Sequence, residues 1–296
     1  EDMSDTFDFV VVGAGAAGAI IASRLSEDPT CRVALLEAGE RPPAAELVPA
    51  ACSSMQVNPV TDWMYTADAG RCGLGLREGR MMMPRGKMLG GSTGINYMAY
   101  VRGHPGDFDA WAQGGATGWS YRDVLPYFMK SEGLVPSDEI SIDAPAHNTA
   151  GPLGVSVRSP VIPGAREFVD AAVAAGIPRG DYNGRDRGGP AGVVSLFQTS
   201  TRSGRRSSTY HAFLEGETEK RTNLTIITGA HVTRVLLEGP AGQVVATGVE
   251  YRTAGGEIRS AHAAREVVLS GGTIGSPQLL LLSGIGPRLE LEPMGV

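Results

Sequence analysis

The stretch that decides the fold is FDFVVVGAGAAG, residues 7–18. Its first half is a short apolar run rich in β-branched residues, which is typical of a buried parallel strand. Its second half is a GxGxxG turn, after which residues 19–25 are predicted to form a helix. A second strand-like run, residues 32–37, then ends in a carboxylate. Strand, glycine turn, helix, strand and acid fit within about 30 residues, which is the arrangement of a dinucleotide-binding βαβ unit.

Each residue type in this unit has a mechanical role. Gly13 permits a tight turn, Gly15 lets the backbone approach a pyrophosphate, and Gly18 lets helix and strand pack closely. The helix N-terminus offers unpaired N–H groups and a partial positive charge to phosphates. Glu37 is expected to accept hydrogen bonds from ribose hydroxyls, and an acid there disfavours the 2′-phosphate of NADP. The residues predicted to bind the cofactor at this turn are Gly13, Gly15, Ala16, Ala17, Gly18 and Glu37.

Length and composition favour a globular protein with two structural units. The chain has 296 residues, more than the ~150 expected of one domain. Apolar residues make up 42% and charged residues 20%, and no run approaches the ~18 apolar residues of a spanning helix. With 26 basic and 32 acidic residues the net charge is −6. We therefore predict neither a nucleic acid nor a membrane as a partner.

Glycine and cysteine usage adds two expectations. The 41 glycines cluster in short bursts between apolar segments, which indicates a backbone that passes close to a phosphate or a ring. Cys31, Cys52 and Cys72 have no CxxC spacing, so we predict no metal site and no disulfide framework. Reduced thiols and the lack of a signal peptide before Met3 predict a cytoplasmic protein.

Two longer motifs carry a resemblance to a known family. They are PRGKMLGGSTGINYMAYVRG at residues 84–103 and GTIGSPQLLLLSGIG at residues 272–286. Together with the N-terminal turn, they resemble the signatures of the glucose–methanol–choline (GMC) oxidoreductases, and residues 108–128 look most like the choline-dehydrogenase-like branch. The resemblance covers essentially the whole chain. It implies that the cofactor is FAD.

The resemblance also implies further cofactor-binding residues. Arg85 would neutralise a phosphate, and the small residues after Leu89 would let a ring or phosphate lie against backbone N–H groups. Asn96 and the backbone of residues 98–100 would line the flavin ring, although Met98 fits core packing equally well. Val232 would meet the adenine. The residues implied in this way are Ala38, Trp63, Arg85, Gly86, Leu89, Gly90, Gly91, Ser92, Asn96, Met98, Ala99, Tyr100, Val232, Ser270 and Gly271.

Flavin attachment is predicted from one position. Some members of the family carry a histidine just before the equivalent of Asn96 and bond the flavin through it. This chain has Ile95 there, and an alkyl side chain cannot form such a bond. The FAD is therefore predicted to be held by non-covalent contacts alone.

The predicted fold class is α/β, in part α+β. It consists of a Rossmann-like FAD-binding domain and part of a substrate-binding domain built on an antiparallel sheet. The predicted boundaries are 3–155 and 223–296 for the FAD-binding domain and 156–222 for the substrate-binding domain. Residues 138–151 are predicted to form a surface loop, residues 202–208 a solvated or ion-paired basic loop, and the strand-like runs within 224–269 a small meander.

The catalytic base is not apparent in this sequence. Alcohol oxidation by this family uses a histidine that removes or steers the hydroxyl proton. Of the five histidines, only His104 is kept as a candidate for the substrate cleft, and His147, in a loop, is expected to be exposed. The resemblance places the catalytic His pair C-terminal of Val296. We therefore expect a second chain that carries the C-terminal half of the same GMC protein.

Three functions remain open from the sequence. The first is an FAD-dependent oxidoreductase that oxidises a primary or secondary alcohol, this chain being its FAD-binding half. The second is other chemistry on the same scaffold, such as a hydroxynitrile lyase or a fatty-acid photodecarboxylase. The third is a non-catalytic flavin-binding module. A small-molecule alcohol is the substrate expected under the first.

Overall fold

A computed structural model describes residues 6–189, 192–240 and 242–295, which form two compact units. The first unit contains the described residues up to 46, then 50–96, then those from 208 onward. The second contains 47–49 and 97–207. These units divide the chain at positions other than 155 and 222, and the strand Leu153–Val157, which spans residue 155, pairs with Glu132–Leu134 inside the second unit. The domain boundaries drawn from the sequence stay a prediction.

Strands and helices are short and are joined by many turns. The strands are β1 (Thr6–Val12), β2 (Val33–Leu36), β3 (Tyr65–Asp68), β4 (Arg80–Met83), β5 (Glu132–Leu134), β6 (Leu153–Val157), β7 (Gln198–Thr199), β8 (Thr201–Arg202), β9 (Arg205–Arg206), β10 (Leu224–Ile227), β11 (His231–Glu238), β12 (Val245–Arg252) and β13 (Ile258–Leu269). The helices are α1 (Ala16–Leu25), α2 (Cys52–Met55), α3 (Pro105–Gln113), α4 (Tyr121–Ser131), α5 (Ala165–Ala174), α6 (Gly272–Leu282) and α7 (Arg288–Leu291).

A six-stranded sheet organises the first unit, in the order β10-β2-β1-β13-β12-β11. The four strands from β10 to β13 run parallel, and β12 and β11 continue the sheet antiparallel. Strand β1 is almost wholly buried because it lies at the centre with both faces covered, as its continuous apolar run predicts. The predicted α/β fold with a parallel dinucleotide-binding sheet is confirmed.

Two apolar layers cover the faces of this sheet. On one face, Ala19 and Ala22 of α1 pack with Val11, Val33 and Leu35. On the other face, apolar side chains of β1, β2, β11, β12 and β13 pack with Leu279 of α6. These layers fix the ends of β1 and β2, where the nucleotide-binding turn lies.

The strand-like runs near the C-terminus are arranged differently from the predicted meander. Residues 224–227 form β10, which pairs parallel with β2 at the outer edge of the main sheet. The run 267–269 is only the end of β13, a 12-residue strand. Its first half pairs antiparallel with β12 and its second half parallel with β1. Short apolar runs do not reveal their partners, because pairing over about 200 residues depends on the whole fold.

The second unit contains a small mixed sheet, β5-β6-β7, in which β5 and β6 are parallel and β6 and β7 antiparallel. Helices α3 and α4 each begin with a capping box. The basic segment 202–208, predicted to be a solvated or ion-paired loop, is in part the antiparallel hairpin β8–β9, and Arg206 is buried, so the solvated alternative does not hold for this residue. Among the described residues, every helix is too short or too polar to cross a lipid bilayer.

Candidate functional site

In the turn between β1 and α1, close backbone packing leaves no room for a side chain at two of the glycines. Gly13 has a φ of +90°, and its N–H donates to the Leu36 carbonyl at 2.7 Å. A Cβ on Gly13 would lie 2.6 Å from the Ser270 carbonyl oxygen. A Cβ on Gly18 would lie 1.9 Å from the Gly13 carbonyl oxygen. Side chains at these positions would collide with backbone, so both glycines shape the turn whether or not a ligand is bound.

Gly15 differs from its two neighbours in the motif. Among the described residues, and apart from its neighbours in the chain, a Cβ built on Gly15 would have only the Cα of Gly91 within 4 Å, at 3.9 Å. Gly15 is also the N-cap of α1 and supplies no side-chain cap, so the first N–H groups of the helix, including those of Ala16 and Ala17, lie at an uncapped end. Open space beside an uncapped helix N-terminus fits a pyrophosphate, which needs both N–H donors and a close backbone approach.

The 89–91 segment lies directly against this turn. The Gly90 N–H donates to the Ala14 carbonyl at 2.8 Å, and a Cβ on Gly91 would lie 2.7 Å from the Cα of Gly15. The Leu89 N–H donates to the Glu40 carbonyl at 3.0 Å. Gly90 and Gly91, which the resemblance assigns to the cofactor, are therefore adjacent to the turn that the local pattern identified.

Glu37 is buried at the end of β2 and is already engaged by the protein. Its Oε2 accepts from the Ala14 N–H at 2.8 Å and its Oε1 from the Gly39 N–H at 2.9 Å. Burial raises the pKa of Glu37, and the two amides only partly offset it. Each carboxylate oxygen has a further lone pair, so Glu37 retains acceptor capacity for a ribose. The sequence predicted that Glu37 binds a ribose, but not that it accepts hydrogen bonds from the Ala14 and Gly39 amides.

Next to Glu37 is a cavity of about 330 Å³ whose lining includes Ala38, Lys87, His231 and Arg252. Trp63 lies beside it, with the Lys87 Nζ 5.3 Å from its ring centroid and the His231 ring 5.4 Å away, edge to face. Burial, together with Arg252 and Lys87, lowers the pKa of His231, so this imidazole is neutral at pH 7. Lys87 and Arg252 are the cations of this cavity, and the sequence does not predict their proximity because no local pattern links the two positions.

The segment around Arg85 is held by a buried aspartate that the sequence analysis missed. Asp62 accepts from the Arg85 N–H at 2.9 Å, and the Arg85 carbonyl accepts from the Trp63 N–H at 2.9 Å. The Gly86 N–H donates to the Ser92 hydroxyl at 3.1 Å. Trp63, Arg85, Gly86 and Ser92 are thus joined by hydrogen bonds. The Arg85 guanidinium contacts the Pro84 carbonyl, so its predicted phosphate contact stays a prediction.

The remaining predicted residues of the first unit lie at its strand ends. The Ser270 N–H donates to the Val12 carbonyl at 2.8 Å, which sets Ser270 and Gly271 beside Gly13. Val232, in β11, pairs with Tyr251 and follows directly after the cavity residue His231. The Asn96 N–H donates to the Ser92 carbonyl at 3.0 Å.

Met98, Ala99 and Tyr100 belong to the second unit and are described there alone. Met98 is buried and has a φ of +60°, which is unusual for a residue other than glycine. Its carbonyl accepts from the Ser200 N–H at 2.8 Å, and the Tyr100 N–H donates to the Gln198 carbonyl at 3.0 Å. Ala99 pairs with Thr199.

The histidines are mostly engaged in structural contacts. His104 is the N-cap of α3, where its Nδ1 accepts from the Gly106 N–H at 3.0 Å. His211 lies between Glu46 and Glu215 at 2.7 and 2.8 Å. His147 is buried between Glu132 and Asp181, so the expectation that it is exposed was wrong. A loop position indicates exposure only when its side chain has no buried partners, and His147 has two.

The fold and the turn define an α/β protein of the dinucleotide-binding class, with an open glycine cradle at a helix N-terminus. The family model described as GMC oxidoreductase matches residues 7–295. The chain belongs to the GMC oxidoreductase family, and its cofactor is FAD. The predicted family resemblance is confirmed.

Similar proteins have several activities. The oxygen-dependent choline dehydrogenase of Vibrio vulnificus is 40% identical over 298 residues, which is 99% of this chain and 50% of that protein. A glucose dehydrogenase [FAD, quinone] of Drosophila pseudoobscura pseudoobscura is 38% identical, over 98% of this chain and 45% of its own. The crystal structure of pyridoxine 4-oxidase from Mesorbium loti superposes with a TM-score of 0.86 at 36% identity, covering 98% of this chain and 54% of that one. The chain spans about half the length of the curated relatives it matches.

Proposed function

We propose that this chain is the FAD-binding half of an oxidoreductase that oxidises a primary or secondary alcohol by hydride transfer to flavin N5. The observation that carries the proposal is the open cradle at Gly15, which the protein does not fill with its own atoms. The names of the relatives support the CH–OH donor class, because choline and glucose are both alcohols. When bound, FAD supplies the ring that accepts the hydride.

The residues of the first unit have distinct roles in this proposal. The N–H groups at the start of α1 bind the pyrophosphate, and the 89–91 segment limits how far it can move. Glu37 accepts from the ribose while it holds the Ala14 and Gly39 amides in place. Trp63 and the cations around the adjacent cavity provide a ring face and positive charge for the nucleotide end.

The proton of the alcohol needs a base from elsewhere. His104, His147 and His211 are committed to a helix cap or to carboxylates, and His231 is packed beside Trp63. We propose that the catalytic His pair and most of the substrate pocket belong to the C-terminal part of the relatives' length, which this sequence does not span. Exposed apolar side chains support this, among them Phe168 on α5 and Leu282 and Leu289 at α6 and α7.

Activity assays of residues 1–296 alone and of a polypeptide of the relatives' full length test this assignment. Only the longer polypeptide is expected to oxidise an alcohol. If this chain alone oxidises an alcohol, the assignment of the base to the other half is wrong.

Anaerobic titration of the flavin-loaded protein with alcohols tests the reaction class. Bleaching of the flavin absorbance by choline, glucose or a simple primary alcohol is expected, whereas a lyase or a photodecarboxylase would leave the flavin oxidised in the dark. FAD-loaded protein that is pure, lacks any second polypeptide and reacts with no alcohol would favour a non-catalytic flavin module.

The mode of flavin attachment is tested separately. Ile95 is buried and alkyl, so acid precipitation should release all of the chromophore into the supernatant as FAD. Yellow colour that remains with the protein pellet would mean a covalent bond at another residue.

A further inference from the structure

Five buried residues of the second unit form a closed ring of polar contacts, here called the buried ring. The Arg102 guanidinium pairs with Glu132 at 3.0 Å, Glu132 with His147 at 2.8 Å, and His147 with Asp181 at 2.8 Å. Asp181 accepts from the Asn183 N–H at 2.9 Å. The Asn183 side-chain oxygen then accepts from the Arg102 N–H at 2.8 Å, which closes the ring. No side chain of the four ionisable members is more than 3% exposed.

The charges of the buried ring balance. Burial by itself lowers the pKa of His147, but hydrogen bonds to Asp181 and Glu132 outweigh it and raise this pKa to about 9. The ring thus joins two basic side chains, Arg102 and His147, to two acidic ones, Glu132 and Asp181. Other ionisable groups that interact with it are Tyr100, whose pKa burial raises to about 12, and Tyr121, Asp143, Tyr182 and Arg187.

The buried ring is attached to the segment Met98–Arg102. The Asn183 side-chain amide donates to the Tyr100 carbonyl at 3.0 Å, and the Arg187 guanidinium donates to the Arg102 carbonyl at 3.0 Å. The segment begins at Met98, whose positive φ is a strained backbone conformation for a methionine. Such conformations persist only when the surrounding structure holds them in place.

We propose that Asn183 and the Glu132–His147–Asp181 chain are positioning residues that hold the Met98–Arg102 backbone in the shape used to contact the flavin. This rests on the proposed function and on the prediction from the family resemblance that residues 98–100 line the flavin ring. None of these four residues needs to touch the cofactor, because they act through the segment. A buried ion-pair ring stabilises a fold no better than apolar packing does, whereas its directional hydrogen bonds specify one backbone geometry.

Asn183→Ala tests the proposal, with Asn148→Ala as the matched control. Asn148 is in the same unit, and its side chain donates to the Met129 carbonyl at 3.0 Å, away from the Met98–Arg102 segment. Hydrogen exchange in the FAD-free protein should show the protection of the Tyr100 and Arg102 amides falling roughly tenfold in Asn183→Ala, with no change in Asn148→Ala.

The FAD-loaded proteins report the consequence for the cofactor. Asn183→Ala should raise the Kd for FAD roughly tenfold. At saturating FAD it should also shift the visible circular dichroism of the flavin, a signature that a general loss of stability does not produce. Asn148→Ala should leave both unchanged. If Asn183→Ala does not fold, Gln198→Ala, which removes an acceptor of the Asn183 amide and a long hydrogen bond to Asp181 while leaving Asn183 in place, should cause roughly two- to threefold changes of the same kind.

Equal exchange in the two alanine variants would overturn the proposal. So would a loosened Met98–Arg102 segment whose bound flavin keeps its affinity and its dichroism. Wild-type protein that binds no FAD at all would instead overturn the proposed function, and the positioning role with it. Hydrogen exchange would then still show whether the buried ring holds the segment.

Discussion

The nucleotide-binding turn of the first unit and the buried ring of the second unit are built in opposite ways. The turn consists of backbone groups and glycines within about 30 residues of chain, and its function depends on a space that stays open at Gly15. The ring consists of ionised side chains from distant parts of the chain, and it leaves little of their surface exposed. The turn is local and open to a ligand, whereas the ring is non-local and closed.

The largest expected effect is on the closed region. His147→Leu leaves Glu132 and Asp181 buried without their shared partner, which should lower the free energy of unfolding by about 3–5 kcal/mol. Urea unfolding measures it. His104→Ala is the control, because it removes only an exposed helix cap and should cost about 1 kcal/mol. Equal losses in the two variants would mean that the ring's ion pairs add nothing beyond an ordinary side-chain contact.

The second effect is a pH dependence of the same ring. The pKa of His147 is raised from 6.5 to about 9 in the folded protein. Its contribution to stability is therefore fully present below pH 6.5 and is lost as the pH rises through about 9, roughly 3 kcal/mol in all. Urea unfolding at a series of pH values checks this. The His147→Leu variant should lack this part of the alkaline slope, and an identical slope in both proteins would assign it to other groups.

The third effect separates two glycines of the open region. Gly15→Val should weaken FAD binding on the order of a hundredfold, because the side chain enters the space proposed for the pyrophosphate. The FAD-free protein should keep its free energy of unfolding to within about 1 kcal/mol. Gly13→Ala should instead lower that free energy by about 2–3 kcal/mol, since its φ is +90° and its Cβ would meet the Ser270 carbonyl. FAD titration and urea unfolding of both variants distinguish the two roles, and a stable Gly15→Val protein with normal affinity would refute the cradle.

The smallest effect concerns Glu37, which both holds the turn through buried hydrogen bonds and is proposed to bind the ribose. Glu37→Gln should weaken FAD binding by about one to two orders of magnitude, because a charge-assisted acceptor for the ribose is lost. It should also lower the free energy of unfolding by about 1–2 kcal/mol, since the Gln amide nitrogen cannot accept from the Ala14 or Gly39 N–H. FAD titration and urea unfolding of the Glu37→Gln protein measure the two effects. Unchanged FAD retention would mean that Glu37 has only the structural role.

The sequence was most informative where function depends on the backbone. The βαβ unit, its acid and the 89–91 segment were all identified from local patterns or family signatures, and the structure places them side by side. The sequence was least informative about which strands pair and which charged side chains are buried. Strand β10 was assigned to a meander that it does not join, and His147 was expected in solvent. Neither error is visible within a window of a few residues.

What the sequence by itself determined is the dinucleotide-binding turn, the FAD cofactor and the family. The turn could be predicted because a GxGxxG turn acts through backbone geometry that neighbouring residues dictate. The family and its FAD followed from the resemblance of the two longer motifs. Only the tertiary structure decided the second role of Glu37, the cations beside Trp63 and the buried ring. The partners in the ring are 15, 34 and 81 positions apart along the chain, so folding alone brings them within hydrogen-bonding distance. Burial removes the water that would otherwise solvate each charged side chain, so each of them needs a partner within the ring.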